Sequence, residues 1–188
     1  MSHPAVSVVI PTYNGLTLLV RYLARLRLAV ERYPGPCDVI LIDDGSTDGT
    51  DRWIAREAPW VRMVRLEQNQ GFARAANAGV AAAVGEVVIC LNNDVLVHPN
   101  FLEPLVRHFV DPAVFAVMAK AMVLDGRFVN ESVARGAFHC GRFGRFQIGL
   151  LGGGPLPREV STNLYASGGF GAYDRRKFLE LGGFDDLF

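Results

Sequence analysis

The sequence has little that would mark an unusual environment or a charged partner. Lys+Arg and Asp+Glu both number 19 in 188 residues, so the formal net charge is zero. No basic run is present that would track a nucleic-acid backbone. A local basic patch could form from Arg135, Arg142 and Arg145, in a weakly patterned stretch. No apolar run approaches the roughly 20 residues needed to cross a bilayer. The N-terminus leads straight into a strand-like segment without a secretory pattern, so a cytoplasmic location is expected. Cysteine is sparse: Cys37, Cys90 and Cys140 stand far apart. Their spacing argues against a disulfide framework and against a zinc site. His98, His108 and His139 show no metal-ligand spacing either. Three nucleotide and hydrolase signatures are missing: G-x-G-x-x-G after the first strand, G-x-x-x-x-G-K-[ST], and G-x-S-x-G. Their absence weighs against a nicotinamide dehydrogenase, a P-loop enzyme and an α/β-hydrolase.

What is present is the material of a globular core, since 50% of the residues are hydrophobic. Val6 to Ile10 is short, β-branched and apolar, the pattern of a strand buried on both faces. Leu19, Leu23, Leu26 and Val30 then recur at helical spacing, up to the breakers Pro34-Gly35-Pro36. Val39 to Ile42 reads as a second buried strand, and a helix containing Trp53 and Ile54 follows. Val61 to Leu66 is a third strand, Phe72 to Val84 an Ala-rich helix, Val87 to Leu91 a fourth strand and Phe101 to Val110 a further helix. Alternation of this kind implies parallel strands joined by right-handed crossovers. Beyond Ala113 the pattern weakens. Val114 to Met122 suits a strand, Glu131 to Pro157 a long loop rich in Gly, Arg and Phe, and Arg175 to Leu181 a helix.

In parallel sheets ligands collect outside the carboxyl ends of the strands. The polar clusters fall at those ends: Pro11-Thr12-Tyr13-Asn14, Asp43-Asp44 and Asn92-Asn93-Asp94. One crevice is therefore expected to gather them. Asp94, with amides at Asn92 and Asn93, offers hard oxygen ligands suited to Mg²⁺ or Mn²⁺. The competing reading is an Asx turn or helix cap at a strand end. Asp44 suits hydrogen bonds from a base or ribose, whereas Ser46, Thr47 and Asp48 have the character of turn and capping residues. Tyr13 offers a ring to a flat base, although for any single residue of the segment a plain strand-to-helix turn is the commoner explanation. Gly71, Arg74 and Asn77 lie at or on the Ala-rich helix, and Arg74 is either a diphosphate contact or a solvated surface residue.

Taken together, these segments resemble a known family. Val6-Ser7-Val8-Val9-Ile10-Pro11-Thr12-Tyr13-Asn14 is similar to the opening of family 2 glycosyltransferases. So are Ile42-Asp43-Asp44-Gly45-Ser46-Thr47-Asp48-Gly49-Thr50 and the stretch from Asn69-Gln70-Gly71-Phe72 to Asn77-Ala78-Gly79. Leu91-Asn92-Asn93-Asp94-Val95 resembles that family's D-x-D motif in the N-N-D form of its rhamnosyltransferase-like branch. Gly182-Gly183-Phe184-Asp185-Asp186 resembles its G-G-F-D-E turn. The resemblance covers nearly the whole chain in the right order.

The resemblance implies a GT-A fold, Rossmann-like, with a mostly parallel central sheet flanked by helices. Residues 1–112 would form the nucleotide-sugar half and 113–188 an incomplete acceptor half. Carried over by position, Thr12, Tyr13 and Asp44 would contact the nucleoside. Asp94 would bind the metal that bridges the diphosphate, with uncharged Asn92 replacing an Asp at the motif's first position. The implied reaction transfers a sugar, with inversion, from a nucleoside-diphosphate donor to a glycan, lipid-linked or other hydroxyl acceptor. Membrane association would be peripheral, in cell-envelope polysaccharide synthesis. The family's acidic pair, which supplies the base, is expected after Phe188, so the sequence reads as a fragment. Asp185 and Asp186 are weak substitutes. Two other readings compete: a non-catalytic module holding a sugar nucleotide or glycan, and a sugar-phosphate nucleotidyltransferase. The latter wants a phosphate loop after the first strand, and Pro11 to Gly15 is not one.

Overall fold

The computed structural model describes residues 3–119 and 166–186, together with the backbone of 134–139 and 142–147. Elements are numbered here in chain order. The first two βα units are β1 (Val6–Thr12), α1 (Leu16–Arg32), β2 (Cys37–Asp43) and α2 (Thr50–Glu57). Next come β3 (Arg62–Arg65), α3 (Phe72–Ala82), β4 (Val87–Leu91) and α4 (Leu102–Val106), the last followed by a 3₁₀ turn at Arg107–Val110. Then come β5 (Ala116–Met118), β6 (Ala134–His139), β7 (Arg142–Gln147), β8 (Phe170–Asp174) and α5 (Arg175–Glu180).

Six strands form one sheet in the order β3-β2-β1-β4-β8-β5. β1 pairs in parallel with β2 and with β4, and β2 with β3. β8 runs antiparallel between β4 and β5. The chain leaves β1 on one side to build β2 and β3, then crosses to the other side for β4. The gap between β1 and β4 is therefore the point where strand order reverses, the place where α/β sheets open a ligand crevice.

The sheet is covered on both faces, which explains its uninterrupted apolar strands. One face, with Val8, Ile10, Leu41 and Ile89, packs against α1, α2 and α4 through Leu19, Leu23, Ile54 and Leu105. The other, with Val9, Ile40, Ile42, Val88 and Cys90, packs against Ala75 and Val80 of α3 and Phe178 of α5. Fully burying one such Val, Leu or Ile contributes about 1.5–3 kcal/mol. α3 approaches so closely that a Cβ on Gly79 would press into the Val9 side chain and sit 3.0 Å from Ile42 Cγ1. Its small residues thus have a packing purpose. Ser7 is a polar residue within the apolar run of β1. Its buried hydroxyl donates to Asp38 Oδ1 at 2.5 Å and accepts from Gly85 N at 2.9 Å.

Three expectations change. Residues 131–157 were expected as a loop, but antiparallel β6 and β7 lie within them, Phe138 opposite Phe143. Their short apolar alternation is diluted by Gly and Arg, so the period-two signal is weak. The helix expected over 101–110 tightens into a 3₁₀ turn after Val106. The strand expected over 114–122 is confined to Ala116–Met118, with residues 120–122 outside the described ones. Cys140, and the side chains of Arg135, His139, Arg142 and Arg145, also lie outside them. Among the described residues no helix is long and apolar enough to cross a membrane.

Candidate donor site at the strand ends

The parallel register brings the carboxyl ends of β1, β2 and β4 to one edge, with Thr12 opposite Asp43. Thr12 joins the three loops. Its carbonyl accepts from Asp44 N at 2.8 Å, and its hydroxyl accepts from Asn93 Nδ2 at 2.7 Å. Gly15 is buried against this pair, and a Cβ there would collide with both Asn93 Nδ2 and Thr12 Oγ1. Pro11 is buried in the strand end, while Tyr13 stands 51% exposed beside it. Asn14 adopts the left-handed region at φ 49°, which a short amide side chain tolerates. It ties the first loop to the second: Asn14 N donates to Ser46 Oγ, and Thr47 N donates to Asn14 Oδ1, each at 2.8 Å.

The carboxylates after β2 are taken up by backbone donors. Asp43 is fully buried, and its Oδ1 accepts from Ser46 N at 2.9 Å. Its Oδ2 accepts no hydrogen bond but lies 3.7 Å from Arg65 Nε, so the buried charge is offset by an ion pair. Arg65 also donates to Asp51 Oδ2 and to the Ser46 carbonyl. No local pattern marks this clamp beyond an arginine at the end of β3. Asp44, 3% exposed, accepts from Gln70 N at 2.8 Å on one oxygen and from Gly71 N at 2.9 Å on the other. Gly71 precedes α3 with φ 88° and ψ 165°, a conformation open essentially to glycine alone. Asp48 accepts from Leu16 N, Thr50 N and Thr50 Oγ1, so it caps the starts of α1 and α2 together. Burial pushes its carboxyl up, but these hydrogen bonds outweigh burial and hold it below the ordinary carboxylate value.

The loop after β4 is different. Asn92 N donates to the Gly169 carbonyl at 2.8 Å, and the Asn92 amide lies against Gly169. Asn93 turns its Nδ2 to Thr12, which leaves its Oδ1 as the unengaged end of the amide. Asp94 is exposed and enters no hydrogen bond or ion pair among the described residues. Among them no three His, Cys, Asp or Glu converge as a metal cage. The donor set is one free carboxylate with neighbouring amide oxygens. That set fits a hard cation which takes its other ligands from phosphate and water.

Arg74 and Asn77 face the G-G-F-D-D turn. Arg74 Nε pairs with Asp186 Oδ2 at 2.9 Å. Asn77 closes a reciprocal pair with Phe184, donating to its carbonyl and accepting from its N–H, both at 2.8 Å. The turn fits because Gly182 and Gly183 take positive φ, 86° and 80°. The Phe184 ring packs on Phe178 and Tyr173, with centroids 4.9 and 5.8 Å away. Both ends of the Asn77 side-chain amide are thus committed to this turn.

Comparison with known proteins bears on the family and the fold. The profile of "Glycosyl transferase family 2" matches residues 7–181. The chain is 32% identical over 97% of its length to N-acetylgalactosaminyltransferase 6 of Drosophila melanogaster, of which it covers 29%. It is 31% identical over 53% of its length to the dodecaprenyl-phosphate galacturonate synthase of Rhizobium johnstonii, of which it covers 31%. The chain therefore spans about a third of the length of these relatives. A mannosyltransferase from Pyrobaculum calidifontis, solved with GDP-Man and Mn²⁺, superposes with a TM-score of 0.66 at 23% identity, over 100% of this chain and 49% of that one. S. aureus TarS 1-349 gives 0.66 at 21%, over 97% and 51%. These neighbours share the GT-A fold. With its profile match covering most of the sequence, the chain belongs to glycosyl transferase family 2.

Proposed function

We propose that this chain supplies the donor-binding part of an inverting, metal-assisted glycosyltransferase acting on a nucleoside-diphosphate sugar. The observation that carries the reading is the junction of three strand-end loops on Thr12, with the unpartnered Asp94 at its rim. Tyr13 stacks on the base. Thr12 and the Gln70-Gly71 backbone line the nucleoside. Each Asp44 oxygen keeps a lone pair beyond the N–H it accepts, so a ribose or base contact is compatible with its hold on that backbone. Arg74 is placed to meet the diphosphate by exchanging Asp186 for it. Residues 1–112 are the donor half, and 113–188 contribute to the acceptor half.

Asp94, with Asn92 and Asn93, would hold Mg²⁺ or Mn²⁺, which when bound supplies positive charge beside the leaving diphosphate. In the transfer the acceptor oxygen attacks the anomeric carbon as the bond to the diphosphate oxygen breaks. The hydroxyl proton passes to a general base. The Asp186 carboxylate is already engaged by Arg74. Relatives named for transfer involving dodecaprenyl and undecaprenyl phosphates support a lipid-linked or glycan acceptor and a role in cell-envelope polysaccharide synthesis. A lipid-linked acceptor would bring the protein into peripheral membrane contact.

The test is calorimetric titration of UDP, GDP and dTDP into wild type and Asp94→Ala, with and without Mn²⁺. Wild type should bind at least one nucleotide, about tenfold or more tightly with Mn²⁺, an order of magnitude expected for losing a charged ligand contact. Asp94→Ala should lose that gain and keep the metal-free affinity. Equal Mn²⁺ dependence in the two proteins would refute the metal assignment.

A further inference from the structure

The core-facing stripe of α3 is Phe72, Ala75, Ala76, Gly79 and Val80. Its last four members are buried, yet Phe72 is 46% exposed. The cause is position along the helix. Gly71 is pinned by Asp44 at the end of β2, so α3 begins beyond the strand ends and its first ring overhangs the sheet edge. Phe184 supports that ring at 6.1 Å. Beneath it lie Gly168, partly covered by the Phe72 and Phe184 rings, and Gly169, buried under the Asn92 amide. A Cβ on Gly168 would lie 2.9 Å from the Phe72 ring, and one on Gly169 would lie 2.7 Å from Asn92 Nδ2. The absence of side chains at Gly168 and Gly169 thus lets the half-exposed Phe72 ring and the Asn92 amide lie against one stretch of backbone, as one wall leading to the Asp94 loop.

We propose that Phe72 is the platform of a pyranose subsite, with Gly168 and Gly169 seating the Phe72 ring and the Asn92 amide and Asn92 marking the polar end. A pyranose has an apolar face of axial C–H bonds, which suits the negative face of an aromatic ring. Its rim of hydroxyls suits backbone carbonyls and an amide. A lone exposed aromatic on a surface has no such seat and no amide beside it. This inference rests on the proposed glycosyl transfer, and the ring belongs either to the donor sugar or to a sugar acceptor.

The experiment compares wild type, Phe72→Ala and Phe72→Trp, after melting curves confirm folding. Calorimetry measures UDP, GDP and dTDP against UDP-glucose, GDP-mannose and dTDP-glucose with Mn²⁺. In parallel, NMR follows wild type and Phe72→Ala during titration with methyl β-D-glucopyranoside and methyl α-D-mannopyranoside. For a donor subsite, Phe72→Ala weakens a sugar nucleotide roughly three- to tenfold, as expected for one ring contact. It leaves the bare nucleotide unchanged, and Phe72→Trp restores affinity. For an acceptor subsite, the methyl glycosides shift signals at Phe72, Gly168 and Gly169 in wild type, and Phe72→Ala abolishes the neighbouring shifts. Failure of wild type to bind any nucleotide would count against the proposed function, and the glycoside arm then decides the subsite alone. Phe72→Ala changing nucleotide and sugar nucleotide equally, with no glycoside shifts at this wall, would overturn the proposal.

Discussion

The loops after β2 and β4 both carry acidic residues at the same sheet edge, yet they hold them in opposite states. Between Asp43 and Thr50, Asp43, Asp44 and Asp48 all accept backbone N–H groups, and together they tie down the starts of α1, α2 and α3. Between Asn92 and Val95, the single carboxylate of Asp94 projects without a partner among the described residues. A carboxylate with its N–H donors already in place shapes the crevice, whereas an unpartnered one is available to a ligand. Residue type alone does not separate the two.

The sharpest way to break this comparison is to delete one carboxylate from each loop. Asp44→Ala leaves the N–H groups of Gln70 and Gly71 unmet in a buried place and removes two charge-assisted bonds. It should lower unfolding free energy by about 2–4 kcal/mol. Asp94→Ala, at an exposed position, should change it by no more than about 0.5 kcal/mol. Urea denaturation followed by circular dichroism measures both. Similar losses in the two variants would mean that Asp94 is as structural as Asp44.

The third polar connection sharpens the contrast from the far side of α3. Asn77→Ala removes both hydrogen bonds to Phe184, which are neutral and partly buried. A loss of about 1–3 kcal/mol is expected, together with faster amide exchange at Phe184. Unchanged exchange there would show that the Phe184 ring alone fixes the turn.

Much of this was legible in the sequence because parallel strands covered on both faces must read as unbroken apolar runs. β4 spans the residues expected for it, and β1 and β2 lie within two or three of theirs. The edge strand β3 is shorter than expected and has exposed ends at Arg62 and Arg65, as suits a strand paired on one side. The insertion of β8 between β4 and β5 was not legible, since Phe170 to Asp174 finds its partners about 80 residues away in sequence. The convergence of Thr12, Asp43-Asp44 and Asn92-Asn93 followed from topology. The Asp43–Arg65 pair and the commitment of Asn77 to Phe184 did not, because each depends on a partner that no local pattern names. Arg74 drew notice as a cation, but its partner Asp186 lies 112 residues on.

The smallest expected effect tests whether the β2 loop works by backbone capping. Asp48 accepts from the first N–H of α1 and of α2, where a negative charge also meets the positive end of each helix. Those bonds lower its folded pKa relative to the unfolded chain. The unfolded carboxylate therefore takes up a proton first as pH falls. The stabilisation is fully present above the unfolded value of about 4 and disappears as pH drops through the folded one. Asn at this position can still accept a hydrogen bond but carries no charge. The urea midpoints of wild type and Asp48→Asn should differ modestly at pH 6 and converge toward pH 3. Because Asp48 is exposed, the gap at pH 6 should also narrow in high salt. A gap that stays constant across this pH range would show that Asp48 acts through hydrogen-bond geometry alone, and that its charge is no part of the capping.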